Sequence, residues 1–295
     1  MLSKLESQHI AICTITRYPD WYPGKPKNLI NTDKIRGDAT LKTFKHASEA
    51  GYTLVVGYSD GEKFNEYLQK ILGIFLVKRV SQKRSRARQQ IIDEAKNITG
   101  IEVILLTEGE KTDLIRFIPE ICHKIFEKKA DIVIPKRKDE PFKESCPEYM
   151  YESEKEANAM INEELRAHNL RSLNDEDLDL FFGPRAFSTK PDIVKLFTQS
   201  YKFSFEHIAY KNIVFGTDVL SNANMFPVVL ALAKKYMVAS VTIPFEYPIS
   251  IKHNEEKEQR AYFLQKRKAQ RIGLIIELMH FSAFLEKHKN RVNKS

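Results

Sequence analysis

The sequence is short of cysteine and of long apolar runs, and it lacks repeats and long blocks of one charge. Cys13, Cys122 and Cys146 are the three cysteines in 295 residues. They are odd in number and far apart, with no CxxC pair, zinc cluster or disulfide framework, so a reduced, cytoplasmic compartment is expected. No stretch approaches the roughly eighteen apolar residues of a membrane-spanning helix. The first nine residues are polar and run straight into an apolar segment, which does not read as a signal peptide. Nor is the chain disordered: 42% of its residues are hydrophobic. Positive charge exceeds negative by +8, with both signs spread along the chain. That balance favours anionic ligands without choosing among them.

What is present is an alternation of two periods. Short apolar runs at 10–15, 52–57, 74–78, 103–106 and 131–135 read as strands. Helices are predicted between them, over 34–50, 64–72, 85–97 and 114–128. Alternation of this kind predicts an α/β fold with a mostly parallel sheet flanked by helices, binding its ligand beyond the carboxyl ends of the strands. The second half is less regular. A capping-box pattern at Ser153 and Glu156 predicts a helix over about 154–167. Residues 218–235 read as helical, with a possible kink at Pro227. A strand is expected over 237–242 and one long helix over 255–288. The charged segment 136–146 reads as a mobile loop. The organisation expected is a domain over 1–254, split into halves 1–136 and 137–254, with a helical extension over 255–295.

Chemistry-bearing residues gather where the strands should end. Thr14, Thr16 and Arg17 close the first strand, and Ser59, Asp60 and Gly61 follow the second. After the third comes a basic segment, Lys83-Arg84-Ser85-Arg86-Ala87-Arg88, which opens a helix. The fourth leads into Thr107-Glu108-Gly109-Glu110-Lys111. A parallel sheet would bring these together on one rim, as an anion site with a paired carboxylate. Arg84 and Arg88 would share a helix face, leaving Arg86 to solvent.

In order and pattern, 10–253 resembles the nucleotide-diphospho-sugar transferases of the GT-A fold, especially family-two-like glycosyltransferases. The resemblance implies a Rossmann-type nucleotide-binding half and an acceptor half. It places the nucleotide at Thr14, Thr16, Arg17, Asp60, Arg84, Arg88, Thr107 and Glu108. Glu108-Gly109-Glu110 stands where the family has Asp-x-Asp, and with His253 it would hold a divalent cation, Mg²⁺ or Mn²⁺. Gly183 and Arg185 fall on the acceptor side, and Asp218 matches the catalytic base. The activity implied is glycosyl transfer from a nucleotide-diphospho-sugar donor to an acceptor the sequence does not specify. In that chemistry a cation or arginines would neutralise the departing diphosphate, and a base would take the acceptor proton.

Plainer readings stand beside these. Glu108 and Glu110 also fit a solvated loop with Lys111 as a local ion-pair partner. Asp60 fits a turn, Asp218 a helix cap and His253 an exposed histidine; Trp21 could fold over a nucleotide or pack its own loop. Three other functions are open. One is a degenerate transferase serving as a scaffold. Another is a basic nucleic-acid-binding protein, disfavoured because no nucleic-acid motif is present. The last is a sugar-phosphate nucleotidyltransferase, disfavoured because 16–21 lacks the glycine-rich signature of that class. The C-terminal helix is apolar enough on one side to allow a homodimer.

Overall fold

A computed structural model describes residues 4–199 and 225–269. After a short helix α1 (Lys4–Ser7), the elements are β1 (Ile10–Thr16), α2 (Thr32–Glu49), β2 (Thr53–Tyr58), α3 (Glu62–Leu68) and β3 (Ile74–Lys78). Next come α4 (Arg84–Lys96), β4 (Val103–Leu106), a 3₁₀ turn (Thr112–Phe117), α5 (Ile118–Phe126) and β5 (Ile132–Arg137). The second half supplies α6 (Asp139–Ser145), α7 (Glu148–Ala167), β6 (Arg185–Ser188), α8 (Pro191–Thr198), α9 (Phe226–Ala233), β7 (Val238–Ile243) and α10 (Ile249–His253). A π-helical turn (Asn254–Glu258) and a helix over 260–269 follow.

The strands form one seven-stranded sheet in the order β3-β2-β1-β4-β6-β5-β7. Every neighbouring pair is parallel except those made by β6, which runs against β4 and β5. The α/β class and the mostly parallel sheet therefore stand as expected. Strand apolarity explains the burial. Along β1, Ile10 and Ile12 face one layer, with Phe44 of α2 and Ile121 of α5. Ala11 and Cys13 face the other, with Ile91 of α4, Ile161 of α7 and Val194 of α8. Both faces are thus covered, as parallel sheets require. All three cysteines are buried free thiols, and none of the described helices is long and apolar enough to cross a membrane.

Local chemistry sets the element ends. Asn31 caps α2 by accepting from the Lys34 N–H at 2.9 Å, and Gly51, at φ +83°, turns the chain after it. Pro227 lies in the first turn of α9, where its missing N–H costs nothing, so it starts a helix instead of kinking one. Residues 200–217 and 218–224, the remainder of the helix expected over 218–235, lie outside the described residues.

Four expectations need correction. The strand at β6 has no counterpart in the sequence reading, which saw only a turn before Arg185. Helix α7 begins at Glu148 after Pro147, so Ser153 is inside it and is not a cap. The helix expected over 255–288 is interrupted: Asn254 is buried, its side chain donating to the Leu29 carbonyl and accepting from Thr32 Oγ1 at 3.2 Å, and the backbone opens into the π turn there. The segment 136–146 is not a loop, because β5 runs on to Arg137 and α6 follows.

Arg137 explains that last difference. Its guanidinium is fully buried and meets Asp179 through Nε at 2.7 Å and Nη2 at 2.8 Å. It also donates to Glu154 at 2.7 Å and stacks 3.6 Å from the Phe142 ring. These contacts join β5, α6, α7 and the 170–184 connection, and the single sheet runs through both halves expected from sequence. Removing Arg137 strands the buried Asp179 without its ion-pair partner and leaves Glu154 to Arg267. Arg137→Met is expected to lower stability by about 3–5 kcal/mol, read as a shift in the urea midpoint at constant slope. A loss below about 1 kcal/mol would show that Asp179 and Glu154 find other donors.

Candidate functional site

Strand order reverses between β1 and β4: β2 and β3 extend to one side of β1 and the rest of the sheet to the other. Crossovers leave such a point in opposite directions and open a site at the carboxyl ends of the strands. The connection carrying α2 packs on one face and α4 on the other. Because β6 is antiparallel, its first residue, Arg185, sits beside Leu106 at the end of β4. The rim therefore collects the residues after β1, β2, β3 and β4 together with those before β6.

Not all the expected residues lie on its surface. Thr14 and Thr16 are 1% and 2% exposed, and their hydroxyls are buried without a hydrogen-bond partner, so they sit beneath the rim. Thr107 is buried too, its hydroxyl reaching the Glu108 carbonyl at 3.4 Å. Arg17 and Asp60 do come together on the surface, Nε to Oδ2 at 3.0 Å, and join the ends of β1 and β2. Trp21 is buried and donates to Asp38 at 2.9 Å, so it packs its loop down. Asp218 lies outside the described residues.

The two glutamates after β4 part company. Gly109 rests on α2, where a Cβ would come within 2.6 Å of Thr40 Cγ2. The turn there sends Glu110 to Arg36, Oε1 to Nη1 at 2.9 Å, while Oε2 accepts from the Tyr18 hydroxyl at 3.4 Å. Burial alone would raise the Glu110 carboxyl, but Arg36, its own backbone N–H, Lys111 and Lys266 together hold the group below the usual range. Arg36 also binds Glu255 of the π turn at 2.7 Å. Glu108 instead lies over Gly183, where a Cβ would come within 2.7 Å of its Oε1. Its Oε2 is buried, accepts no hydrogen bond and stands 3.7 Å from Lys111 Nζ. Lys111 is buried against the rings of Phe182 at 4.7 Å and Tyr247 at 4.9 Å.

Around Glu108 the cations crowd. Burial lowers the Arg88 guanidinium, with Glu108 opposing and Arg84 adding to the effect. Burial likewise lowers Arg185 to about 10, with Asp179 and Glu108 opposing and Arg88 adding. Arg185 is fully buried and donates to the Pro184 and Leu180 carbonyls at 2.6 Å, so it lies beneath the surface of the rim. It acts on the rim through its charge. Arg86 is exposed and donates to Gln89, as expected of the outer face of α4.

The expected metal set does not assemble. Glu110 is committed to Arg36, and His253 faces Glu258 at 3.8 Å. Among the described residues no three of His, Cys, Asp and Glu come together as ligands. Glu108 alone remains, with Lys111, Arg88 and Arg185 as its charged neighbours. At a phosphate site a hard divalent ion is held by one or two carboxylates with substrate phosphates and waters, and the second protein ligand expected here is supplied by neither Glu110 nor His253.

Several residues of the rim escaped the sequence reading. Arg79 follows β3 directly and donates to Ser59 Oγ at 3.3 Å and to the Gln82 carbonyl at 2.7 Å; the strand-end rule that singled out Asp60 would have found it. Arg36 lies inside α2 and Lys266 in the last helix, with no sequence signal. Lys266 Nζ lies 5.3 Å from the Phe263 ring, and Arg36 Cζ 5.5 Å from the same ring. Partial burial lowers the Lys266 ammonium to about 8, helped by Arg36, Arg267 and Arg84 and opposed by Glu255.

No family model matches the sequence, and no curated protein does. Among solved structures, glucosyl-3-phosphoglycerate synthase of M. tuberculosis is 8% identical, with 90% of this chain and 82% of that one covered, at a TM-score of 0.47. The 4-diphosphocytidyl-2C-methyl-D-erythritol synthase of Anaerococcus prevotii is 12% identical over 88% and 98%, at 0.46. A Desulfovibrio desulfuricans protein described as a nucleotide-diphospho-sugar transferase is 11% identical over 90% and 98%, at 0.42. These are distant likenesses, and the role of each residue here rests on its own surroundings.

The Lys266 charge gives a signed prediction. Its folded value of about 8 lies below the ordinary 10.5, so between these values the unfolded chain binds more protons and stability rises with pH. Lys266→Met removes the unfavourable charge. The variant should melt above the parent at neutral pH, and its lead should shrink as pH climbs from about 8 to 10.5. A lead that does not change with pH would mean that Lys266 titrates as a free lysine.

Proposed function

We propose that this chain is a transferase that uses a nucleotide-linked sugar, binding the nucleoside diphosphate across the ends of β1 to β4 and passing the sugar to an acceptor hydroxyl. The observation that carries this reading is the crowding of like charge at the strand reversal. Burial lowers Arg79, and Arg17 and Arg84 lower it further; Arg84 does the same to Arg88 and Lys266. A chain does not gather mutually repelling cations for stability. Their cost is recovered when a polyanion binds, and a diphosphate matches guanidinium groups through bidentate contacts.

The placement supports a small ligand over a nucleic acid. The cations line the rim of a parallel sheet at its reversal point, which is where such sheets take mononucleotides. At the end of β2, the exposed Arg17–Asp60 pair offers an acceptor for ribose hydroxyls or base amines beside the phosphates. The sugar and its transfer follow from the GT-A resemblance. In that reaction the glycosidic C–O bond to phosphate breaks, the diphosphate leaves with the electron pair, and the acceptor oxygen forms the new bond and gives up its proton. Arg84 and Arg88 stabilise the departing charge.

The test is a thermal-shift series with UDP, GDP, CDP, ADP and a single-stranded oligonucleotide. One diphosphate should raise stability, by about 2.7 kcal/mol at a hundredfold excess over its Kd, and Arg84→Ala should weaken that shift. No shift with any diphosphate, alongside oligonucleotide binding that falls steeply with salt, would replace this reading with the nucleic-acid one. Incubation with the matching nucleotide-sugars, and separately with the nucleoside triphosphate and a sugar phosphate, then separates the chemistries. Release of nucleoside diphosphate marks glycosyl transfer, whereas consumption of nucleoside triphosphate with release of pyrophosphate marks nucleotidyl transfer.

A further inference from the structure

We infer that this site binds its diphosphate without a divalent cation: Arg84 and Arg88 make the contact, the buried charges of Lys111 and Arg185 stand behind them, and Glu108 is their counter-ion. The inference rests on the diphosphate reading above and adds how the charge is neutralised.

Three observations converge on it. First, the second carboxylate of a metal pair is spent. Glu110 is held by Arg36 at 2.9 Å and by Tyr18 at 3.4 Å, and Arg36 is itself fastened to Glu255 at 2.7 Å. Freeing Glu110 would leave a buried guanidinium with half its counter-charge, a change that costs several kcal/mol.

Second, the field at Glu108 is already positive. One carboxylate faces Lys111 at 3.7 Å and shares the electrostatic neighbourhood of Arg88 and Arg185. Asp179 and Glu154 also act on Arg185 and Lys111, but both of those carboxylates are already bound by Arg137, so the charge set beside Glu108 is mainly cationic. An approaching divalent cation is repelled, and an approaching diphosphate is attracted.

Third, the supporting charges cannot drift away. Lys111 is packed among Phe182, Phe245 and Tyr247, with its ammonium 3.3 Å from the Tyr247 hydroxyl. Arg185 is locked to two backbone carbonyls. Fixed charges of this kind need no reorganisation when negative charge develops on the leaving group, which is what a bound metal supplies in other transferases.

The experiment measures binding of UDP, GDP, CDP and ADP to the full chain by calorimetry, in EDTA and then with Mg²⁺ or Mn²⁺. The expected result is one diphosphate binding equally well in EDTA. Arg88→Met should weaken it at least about tenfold, the worth of a charge-assisted hydrogen bond. Glu108→Gln is the sharper variant. As a counter-ion its loss leaves the rim more positive, so binding in EDTA should hold or tighten. As a metal ligand its loss would abolish binding. Binding that appears only with the cation and disappears in Glu108→Gln would overturn the inference while keeping the diphosphate reading. Binding of no diphosphate under any condition would overturn both. A circular-dichroism melt of each variant confirms that a lost signal is not a lost fold.

Discussion

A carboxylate and a guanidinium taken out of water have to meet each other, and Arg36 with Glu110 and Glu255 does this at the edge of the sheet. The arrangement ties three distant pieces of chain together: helix α2, the turn after β4 and the π turn that precedes the last helix. From this constraint much else follows. The turn after β4 is pulled against α2, which is why position 109 has no room for a side chain. The C-terminal segment is drawn back over the rim, where Asn254 and Glu255 are both buried. The last helix then brings Lys266 near Arg36 and Arg84, and Arg267 to Glu154. The described part of that helix, 260–269, thus lies against α2 and α7.

Charge at this edge is arranged in two tiers. Beneath it lie closed ion groups, such as Arg137 with Asp179 and Glu154, in which every charge has a partner and the net effect is to fix geometry. Above them is a tier that does not balance, where burial lowers Arg79, Arg88 and Lys266 and the charge of Arg84 lowers each further. The lower tier makes the upper one possible, because mutual repulsion would otherwise splay the loops apart. Stability and ligand attraction are thus assigned to different residues, and the surplus at the rim is the part that a polyanion can use.

The fold was largely legible because burial on both faces leaves its mark in composition. Five apolar runs separated by helical spacing give the parallel strands their positions within a residue or two. β6 escaped because it has only four residues and follows a turn-rich stretch, so it has no length in which to show a period. The helices α6 and the start of α7 escaped for a different reason. Their residues are charged, and charge there is met by partners outside the helix itself: Asp139 of α6 pairs with Lys155 of α7, sixteen positions on. The site was legible in outline, since strand ends can be counted along the chain, and Arg17, Asp60, Arg84, Arg88 and Glu108 all stand at the rim. Which strand-end side chains point up and which point down is set by the packing of α2, and that is why Thr14 and Thr16 looked available and are not.

The choice of glutamate after β4 has a structural meaning. An aspartate at 110 would hold its carboxylate about 1.5 Å nearer the backbone, and the 2.9 Å contact with Arg36 would open beyond hydrogen-bonding distance. The longer side chain is what lets the turn reach across to α2, so the same methylene that spoils a compact metal pair creates the ion group that closes the C-terminal segment over the rim. At 108 the extra length has a second effect, laying the carboxylate flat on Gly183, whose φ of +91° and missing Cβ make the room. From there one anion sits among Lys111, Arg88 and Arg185 at once. A single carboxylate beside three cations keeps them close without cancelling them, and that is the balance a phosphate would meet under the proposed function.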